Sequence, residues 1–308
     1  MILCCGEALI DMIPTPTTQG RDGFVPHSGG AVFNTAIALG RLGAPVGLLS
    51  GVSNDMFGRQ LVEGLGASGV DATHVIRADR PTTLAFVQLA DGHATYDFFD
   101  ENSAGRMLEP KDMPELPDTV TALFFGGISL ACEPCADAYA ALLARESKGR
   151  VVMLDPNIRP GFIKNAARYR SRLDAMIAQT DIIKLSDEDL NWILPEVANE
   201  RDQIAAILAK GPFMLILTRG SDGASGFLAD GTEVSVPSHK VKVVDTVGAG
   251  DTFNAGILAH LSTLGLLSVA KLESLSAGAL EDVLAHGARV AAVTVSRAGA
   301  NPPWASEL

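Results

Sequence analysis

The chain has 308 residues, of which 47% are hydrophobic and 31 are glycine, a composition typical of a folded protein and not of a disordered one. This length is enough for one large α/β domain with a small appendage at most. With 24 basic and 36 acidic residues the formal net charge is −12, and the basic residues are scattered, so nucleic acid binding is not expected. No segment reaches the ~18 consecutive apolar residues that a membrane span needs.

The amino terminus and the cysteines both favour the cytosol. Residues 1–7 lack the basic start and the long apolar region of a signal peptide. Cys4 and Cys5 fall in an apolar strand start, and Cys132 and Cys135 form a Cys-x-x-Cys pair beside a predicted helix start. Because no second Cys or His pair follows at metal-ligand spacing, this pair favours a structural role over a redox or zinc-binding one.

Short apolar runs alternate with segments of helical periodicity along most of the chain, which is typical of a parallel sheet built from βαβ units. The predicted strands cover residues 46–51, 122–126, 151–155, 182–185 and 214–218. The predicted helices cover residues 34–42, 57–65, 135–146, 166–180 and 204–210. Continuously apolar strands fit a sheet covered by helices on both faces, and ligands then bind at the carboxyl ends of the strands.

One region departs from this order. Residues 82–89 and 94–99 are β-rich runs joined by Asp91-Gly92, a strong hairpin signal. We interpret them as part of a small β lid that closes over the substrate and excludes water, the alternative being an edge hairpin of the main sheet. A second hairpin, turning at Asp230-Gly231, is predicted to lead into a strand at residues 241–244.

The sequence Gly-Ala-Gly-Asp at 248–251 is the most informative stretch. Helical periodicity begins at residue 252, so the glycines lie at a helix N-terminus, where unpaired N–H groups and the helix dipole attract an anion. Asp251 beside that anion is suited to accept a proton from an attacking hydroxyl, or it simply caps the helix. No lysine follows Gly250 as in a P-loop, and Phe253 stands where a dinucleotide fingerprint needs a small residue.

Polar side chains follow other predicted strands. Asp11 and Asn34 are suited to hydrogen-bond adjacent hydroxyls of a polyol, although Asn34 can equally cap a helix. Arg159 offers the local positive charge that an acidic phosphate-handling protein needs, with a structural ion pair to Asp155 as the alternative. The small residues at 218–223 fit nucleotide phosphate contacts or a plain turn.

Together these segments resemble the PfkB (ribokinase-like) family of sugar kinases. Both family signatures are present, at residues 29–34 and 245–253, and the similarity extends to residues 296–300. The resemblance implies an α/β fold: a ribokinase-like, three-layer α/β/α, Rossmann-like sheet in a single domain over residues 1–308. It also implies a small β-sheet lid formed by about residues 12–28 and 82–104. The implied reaction transfers the γ-phosphate of ATP, with Mg²⁺, to a sugar hydroxyl.

The resemblance also implies roles for individual residues. The catalytic set is the base Asp251, the anion hole Gly248, Ala249 and Gly250, and the supporting charge Arg159. The substrate-binding set is Asp11, Gly29, Gly30, Asn34, Phe98, Arg106, Asn157 and Asp251. The nucleotide-binding set is Lys184, Thr218, Gly220, Ser221, Gly223, Gly248 and Gly250.

Two metal sites are implied as well. Many relatives carry Asn-x-x-Glu where this chain has Ser186 and Asp189, and these two side chains are expected to act on Mg²⁺ through bound water. A monovalent cation, K⁺, is implied beside the glycine loop, near Asp245, Val247 and Ser296.

Within the family, residues 6–11, 155–160 and 184–188 are most similar to bacterial fructokinases, which implies phosphorylation of D-fructose at C6. The 2-keto-3-deoxygluconate kinases share the Asp-Pro-Asn-x-Arg element and are the closest competitor. Another sugar or nucleoside kinase, a nicotinamide-dependent oxidoreductase and a non-catalytic sugar or nucleotide sensor remain as alternatives. Relatives often form homodimers through the lid, which the apolar Phe86, Phe98 and Phe99 allow; no nucleic acid or membrane partner is expected.

Overall fold

The computed structural model describes residues 1–90 and 93–308. The strands in this part of the chain are β1 (Ile2–Cys5), β2 (Leu9–Pro16), β3 (Asp22–Gly29), β4 (Val46–Leu49), β5 (Gly51–Ser53), β6 (Ile76–Ala78), β7 (Leu84–Ala90), β8 (His93–Phe99), β9 (Ala122–Gly126), β10 (Val151–Asp155), β11 (Ile182–Ser186), β12 (Met214–Thr218), β13 (Ala224–Leu228) and β14 (Glu233–Val236). The helices are α1 (Ala31–Arg41), α2 (Met56–Ala67), α3 (Cys135–Glu146), α4 (Ala166–Ile177), α5 (Asp187–Ile193), α6 (Glu200–Leu208), α7 (Ala249–Thr263), α8 (Val269–Leu272) and α9 (Ala277–Val295).

Eight strands form the main sheet, in the order β14-β13-β12-β11-β10-β9-β1-β4. The strands from β12 to β4 are parallel, and β13 and β14 add an antiparallel hairpin at one edge. The carboxyl ends of β1, β9, β10, β11 and β12 therefore lie along one edge of the sheet. This edge is where open α/β sheets bind their ligands.

Helices cover both faces of this sheet because its central strands are apolar on both sides. Along β10, Val151 and Met153 pack into one core with helices α1, α2, α7 and α9. Val152 and Leu154 point the other way, into a second core with helices α3 to α6. Successive side chains of a strand face opposite sides, so one short apolar strand serves both cores. The three-layer α/β/α expectation is confirmed.

A separate sheet of four strands, in the order β3-β2-β7-β8, is here called the lid sheet. The hairpin expected from residues 82–99 lies in this sheet and not at an edge of the main sheet, and its turn, Asp91-Gly92, lies outside the described residues. Asp11 pairs with Ala85, and Ala85 pairs with Phe98. Cross-strand partners point to the same side, so Asp11 and Phe98 share one face of the lid sheet, the inner face.

The prediction of a strand at residues 241–244 is wrong. This segment is irregular, and the side chains of Val241, Val243 and Val244 are 40%, 58% and 56% exposed. Its backbone is tied to the end of α9 by a bond from the Val244 N–H to the carbonyl of Val295. The hairpin of β13 and β14 is present as expected, but it leads into this exposed connection.

Cys132 and Cys135 are buried free thiols at the start of α3, and burial raises the pKa of both, which keeps them protonated and unreactive.

Within residues 1–90 and 93–308, no helix is long and apolar enough to cross a membrane.

Helix α7, which follows the glycine loop, is held by close packing against α9. A Cβ atom added to Gly256 of α7 would lie 2.7 Å from the Cα atom of Gly287 in α9. The two backbones can approach this closely only because both positions are glycine. This contact in the middle of α7 therefore helps to fix the position of the helix and of the loop at its start.

We expect Gly256→Ala to lower the free energy of unfolding by about 1–3 kcal/mol, because the added methyl group forces α7 and α9 apart. Gly278→Ala is the matched control, since a Cβ there meets no atom within 4 Å. Its stability should stay unchanged or rise by up to ~1 kcal/mol through helix propensity. Urea denaturation of both variants measures the difference; equal stabilities would contradict the close-packing argument.

Candidate active site

The glycine loop begins α7 in the way the sequence predicts. Gly248 is the residue before the helix and has a left-handed backbone, with φ 77°. A Cβ atom at this position would lie 2.6 Å from the Cβ of Ala300. Both the conformation and the contact therefore require glycine. The helix N-terminus that follows, at Ala249 and Gly250, is suited to bind an anion.

Asp251 lies in the first turn of α7 and is 8% exposed. Its Oδ2 accepts a hydrogen bond of 2.9 Å from Nδ2 of Asn34, and its carbonyl accepts one of 3.1 Å from Oγ1 of Thr35. Burial raises the pKa of Asp251 to about 7, while the bond from Asn34 opposes this shift. A carboxylate with a pKa near neutrality is suited to act as a general base.

The substrate-binding residues predicted near the amino terminus lie together. Oδ2 of Asp11 lies against Gly29, where a Cβ atom would be only 2.1 Å away. Gly30, with φ 104°, precedes α1, and Asn34 lies in the first turn of that helix, bonded to Asp251. Burial raises the pKa of Asp11 to about 6. The inner face of the lid sheet, the start of α1 and the base therefore meet in one region.

Glu7 is a residue of this region that the sequence reasoning did not select. Its carboxylate accepts bonds from the backbone N–H groups of Ala31, at 3.1 Å, and Ser129, at 3.2 Å. Burial raises its pKa. It fixes the start of α1 to the end of β9. In the sequence, the position of Glu7 just after the first strand could have indicated that it lies in this region.

The segment predicted to bind nucleotide follows β12. Thr218 pairs with Ser186 at the ends of adjacent strands, so their two loops are neighbours. Gly220 and Gly223 have positive φ values of 52° and 97°, and Ser221 lies in the 3-10 turn between them. A Cβ atom on Gly223 would lie 2.2 Å from the carbonyl oxygen of Val236. Glycine is therefore required to keep this tight turn.

Lys184 supplies the buried positive charge near the glycine loop. It is 5% exposed, and its Nζ lies 3.0 Å from Oδ2 of Asp155 and 3.4 Å from the position of a Cβ atom on Gly250. Arg159 is exposed instead, and its Nη1 donates to the carbonyl of Ile158. The sequence left open an ion pair between Arg159 and Asp155, but Asp155 forms its ion pair with Lys184.

Asn157 lies between these groups in the loop after β10. It has a positive φ of 44°, and its backbone N–H donates to Oδ1 of Asp155 at 3.2 Å. The carboxylate of Asp155 therefore determines the path of the loop that carries both Asn157 and Arg159.

Ser186 and Asp189 form a capping box at the start of α5. Oδ2 of Asp189 accepts bonds from the backbone N–H and the hydroxyl of Ser186, and its Oδ1 accepts one from the N–H of Ile158. The described residues contain no group of three or more His, Cys, Asp or Glu side chains that could hold a metal ion. This donor set fits Mg²⁺ bound mainly by nucleotide phosphates and water, because Mg²⁺ keeps several water ligands.

The residues implied for a monovalent cation lie in two adjacent segments. Oδ2 of Asp245 accepts a bond of 2.8 Å from the N–H of Gly299, and its Oδ1 accepts one from the N–H of Val247. Ser296 ends α9 directly after Val295, whose carbonyl accepts the N–H of Asp245 at 3.3 Å. The two segments that would surround the cation are therefore tied together beside the glycine loop.

The two predicted sugar contacts from the region of the lid, Phe98 and Arg106, line a separate cleft. Phe98 packs edge-to-face on Phe162, with ring centroids 4.3 Å apart, and both line a cleft of about 390 Å³. Arg106 also lines this cleft, and its guanidinium is bonded to Asp100 at 2.6 Å and to the carbonyl of Glu133 at 3.1 Å. The lining of this cleft does not include Asp11, Asn34 or Asp251.

A buried carboxyl with a pKa near neutrality lies at a helix N-terminus suited to an anion and faces polar groups suited to hydroxyls. This arrangement is the one expected of a phosphotransferase with an alcohol acceptor. A family model described as pfkB family carbohydrate kinase matches residues 1–307. The chain belongs to this family of carbohydrate kinases, as its two signature segments predict.

Individual relatives agree with the family assignment. A fructokinase of Rhizobium leguminosarum bv. trifolii is 52% identical over 283 residues, which is 92% of this chain and 86% of the relative. A fructokinase of Klebsiella pneumoniae is 32% identical, over 98% of this chain and 96% of the relative. The crystal structure of a fructokinase with bound ATP from Xylella fastidiosa superposes with a TM-score of 0.89 at 28% identity, covering 97% of this chain and 93% of that one.

We expect kcat/KM to fall as the pH drops below about 7, because a base whose pKa is raised to about 7 is protonated there. Asp251→Asn should lower kcat by about 100-fold or more and abolish this acid limb. Binding of sugar and nucleotide, measured by calorimetry, should be retained. Near-normal turnover of this variant would contradict the base assignment.

Asp251→Asn should also change how the stability of the fold depends on pH. A carboxyl whose pKa is raised in the folded state stabilises the fold fully below its unfolded pKa and loses this contribution as the pH rises through the folded value. For Asp251 this loss falls between about pH 4 and pH 7. Asp251→Asn should therefore gain more in melting temperature over the wild type at pH 8 than at pH 5.

Proposed function

We propose that this carbohydrate kinase transfers the γ-phosphate of ATP, with Mg²⁺, to the C6 hydroxyl of D-fructose. The observation that carries the proposal is the buried carboxylate of Asp251 at the start of α7, beside the glycine loop. The relative at 52% identity is a fructokinase, and the solved fructokinase at 28% identity has bound ATP; both support this choice of substrates.

In the proposed reaction Asp251 accepts the proton of the sugar hydroxyl while that oxygen attacks the γ-phosphorus of ATP. The bond from the γ-phosphorus to the bridging oxygen breaks, and ADP leaves. The N-terminus of α7 and the ammonium of Lys184 stabilise the negative charge on the transferred group. Mg²⁺ neutralises phosphate charge when bound. Closure of the lid sheet excludes water from the site.

The charges near the site favour a neutral sugar over an acid sugar. Arg106, one of two arginines suited to a substrate carboxylate, is already paired with Asp100 at 2.6 Å. Asp11 and Asp251 add two carboxyl groups where the hydroxyls would bind, and like charges repel. Of these two arginines, the exposed Arg159 is left to offset this repulsion for a substrate such as 2-keto-3-deoxygluconate.

A panel of sugars tests the choice of substrate. We expect fructose to give the highest kcat/KM among fructose, tagatose, ribose, 2-keto-3-deoxygluconate and aminoimidazole riboside with ATP, measured by coupled ADP release. Phosphorus NMR of the product should place the phosphate on C6. If 2-keto-3-deoxygluconate leads, the charge argument is wrong although the enzyme is a kinase. Sugar binding without ADP release would instead support a sensor.

We also propose a homodimer that buries the outer face of the lid sheet, opposite Asp11 and Phe98. The rings of Phe24, Phe86 and Phe99 form an edge-to-face row on this side, with centroids 5.0 and 5.4 Å apart. Phe24 is 44% exposed and Phe99 is 58% exposed. Exposed apolar rings in one patch indicate an interaction surface.

Phe99→Asp should shift the protein from dimer to monomer in sedimentation velocity, because a charge in an apolar interface is costly to bury. Met56→Asp is the matched control: Met56 is 64% exposed on α2, outside the lid sheet. It should leave the oligomeric state unchanged. A wild-type protein that sediments as a monomer would refute this interface.

Two further parts of the proposal concern K⁺ and the cell compartment. The link from Asp245 to Gly299 holds together the segments that contain Val247 and Ser296, which supports K⁺ at this point. The four free cysteines support a reducing compartment, the cytosol.

A further inference from the structure

The carboxylate of Asp155 connects three elements that meet at the active site. Asp155 is the last residue of β10 and is 2% exposed. Its Oδ2 accepts bonds from Nζ of Lys184 on β11, at 3.0 Å, and from Nδ2 of Asn254 on α7, at 2.7 Å. Its Oδ1 accepts the N–H of Asn157 in the following loop. A shift of this one carboxylate would be transmitted to all three elements.

Asn254 is the link from Asp155 to the helix that carries the base. It lies three residues after Asp251, so the two side chains share one face of α7. It is 1% exposed, and its Oδ1 has no hydrogen-bond partner among the residues that the structure describes. An unpaired buried carbonyl costs about 1–3 kcal/mol. Stability alone therefore does not explain an asparagine here, whereas its bond to Asp155 gives it a role.

Lys184 is the link from Asp155 to the glycine loop. Its ammonium lies beneath Gly250, 3.4 Å from where a Cβ atom would be. The ion pair with Asp155 holds the ammonium in this position, since a buried ion pair has little freedom to rearrange. The positive charge is thereby fixed beside the backbone that faces the transferred phosphoryl group.

We propose that Asp155 is a positioning residue for phosphoryl transfer. Through Asn254 it holds the first turn of α7, which carries Asp251, and through its ion pair it holds the ammonium of Lys184 beneath Gly250. It acts through these two side chains and not on the reacting atoms. The inference rests on the proposed function in one respect, the role of Asp251 as base.

The same geometry sets the electrostatic balance at the base. Burial is the main cause of the raised pKa of Asp251, the bond from Asn34 lowers it, the charge of Asp155 raises it, and the charge of Lys184 lowers it. Removal of either member of the ion pair should therefore move the acid limb of kcat/KM, and the two members should move it in opposite directions.

Asp155→Asn keeps the shape of the side chain and removes its charge. We expect kcat to fall by 10-fold or more, KM for the sugar to change by less than twofold, and the acid limb of kcat/KM to move to lower pH. Lys184→Gln removes the partner charge and should move the limb to higher pH. A merely structural role would change the melting temperature without moving the limb.

Asn254→Ala separates anchoring from charge. It removes the link to α7 but leaves both charges, so kcat should fall several-fold with the acid limb in its wild-type position. Asp181→Asn is the matched control. Asp181 is a partly buried carboxyl whose pKa burial raises to about 6, and its Oδ2 accepts the N–H of Val152 at the opposite end of β10. It should leave both kcat and the limb unchanged.

Three outcomes would overturn the proposal: kcat of Asp155→Asn within twofold of the wild type, limbs that stay in place in both charge variants, or an equal effect of Asp181→Asn. If Asp155→Asn does not fold, an upward shift in Lys184→Gln and a loss of kcat in Asn254→Ala still decide the question. The assays use whichever sugar leads the panel, so a wrong sugar and a wrong role for Asp155 give different results. Full activity in Asp251→Asn would refute the base itself.

Discussion

The buried carboxylate of Asp251 at the start of α7 is the constraint on which the rest of the structure depends. Burial raises the pKa of this carboxyl to about 7, whereas the hydrogen bond from Asn34 and the charge of Lys184 oppose the shift. This balance requires Asn34 at 2.9 Å and a fixed path of α7.

The fold satisfies both needs with elements that are distant in sequence. Helix α1 brings Asn34 to Asp251, although the two residues are more than 200 positions apart in the sequence. The packing of Gly256 on Gly287 fixes the middle of α7. The lid sheet adds Asp11 on its inner face and leaves an apolar row on the other. One small sheet therefore carries a carboxyl group on its inner face and a row of aromatic rings on its outer face.

Local patterns predicted most of the central architecture. Strands β9, β10 and β12 are continuous apolar runs up to their last residue, and Gly248 of the loop has the conformation that its position requires. The valines at 241–244 were misleading, because β-branched residues favour a strand only where a neighbouring strand pairs with them. Helix α9 was not predicted, although its buried residues Leu280, Val283, Leu284, Gly287 and Ala288 recur at helical spacing. Its packing against α7 stabilises it in the folded chain.

The sequence by itself determined the family, which two signature segments identify. The glycines before an aspartate at a helix start also predict an anion site with a base. The sequence did not determine which positively charged side chain lies buried beside the glycine loop. Arg159 was the evident candidate in the sequence, but its side chain is exposed, whereas Lys184 and Asp155 lie buried beneath the loop. Only the tertiary structure decides this, because the burial and pairing of a charge depend on neighbours that are brought together by folding.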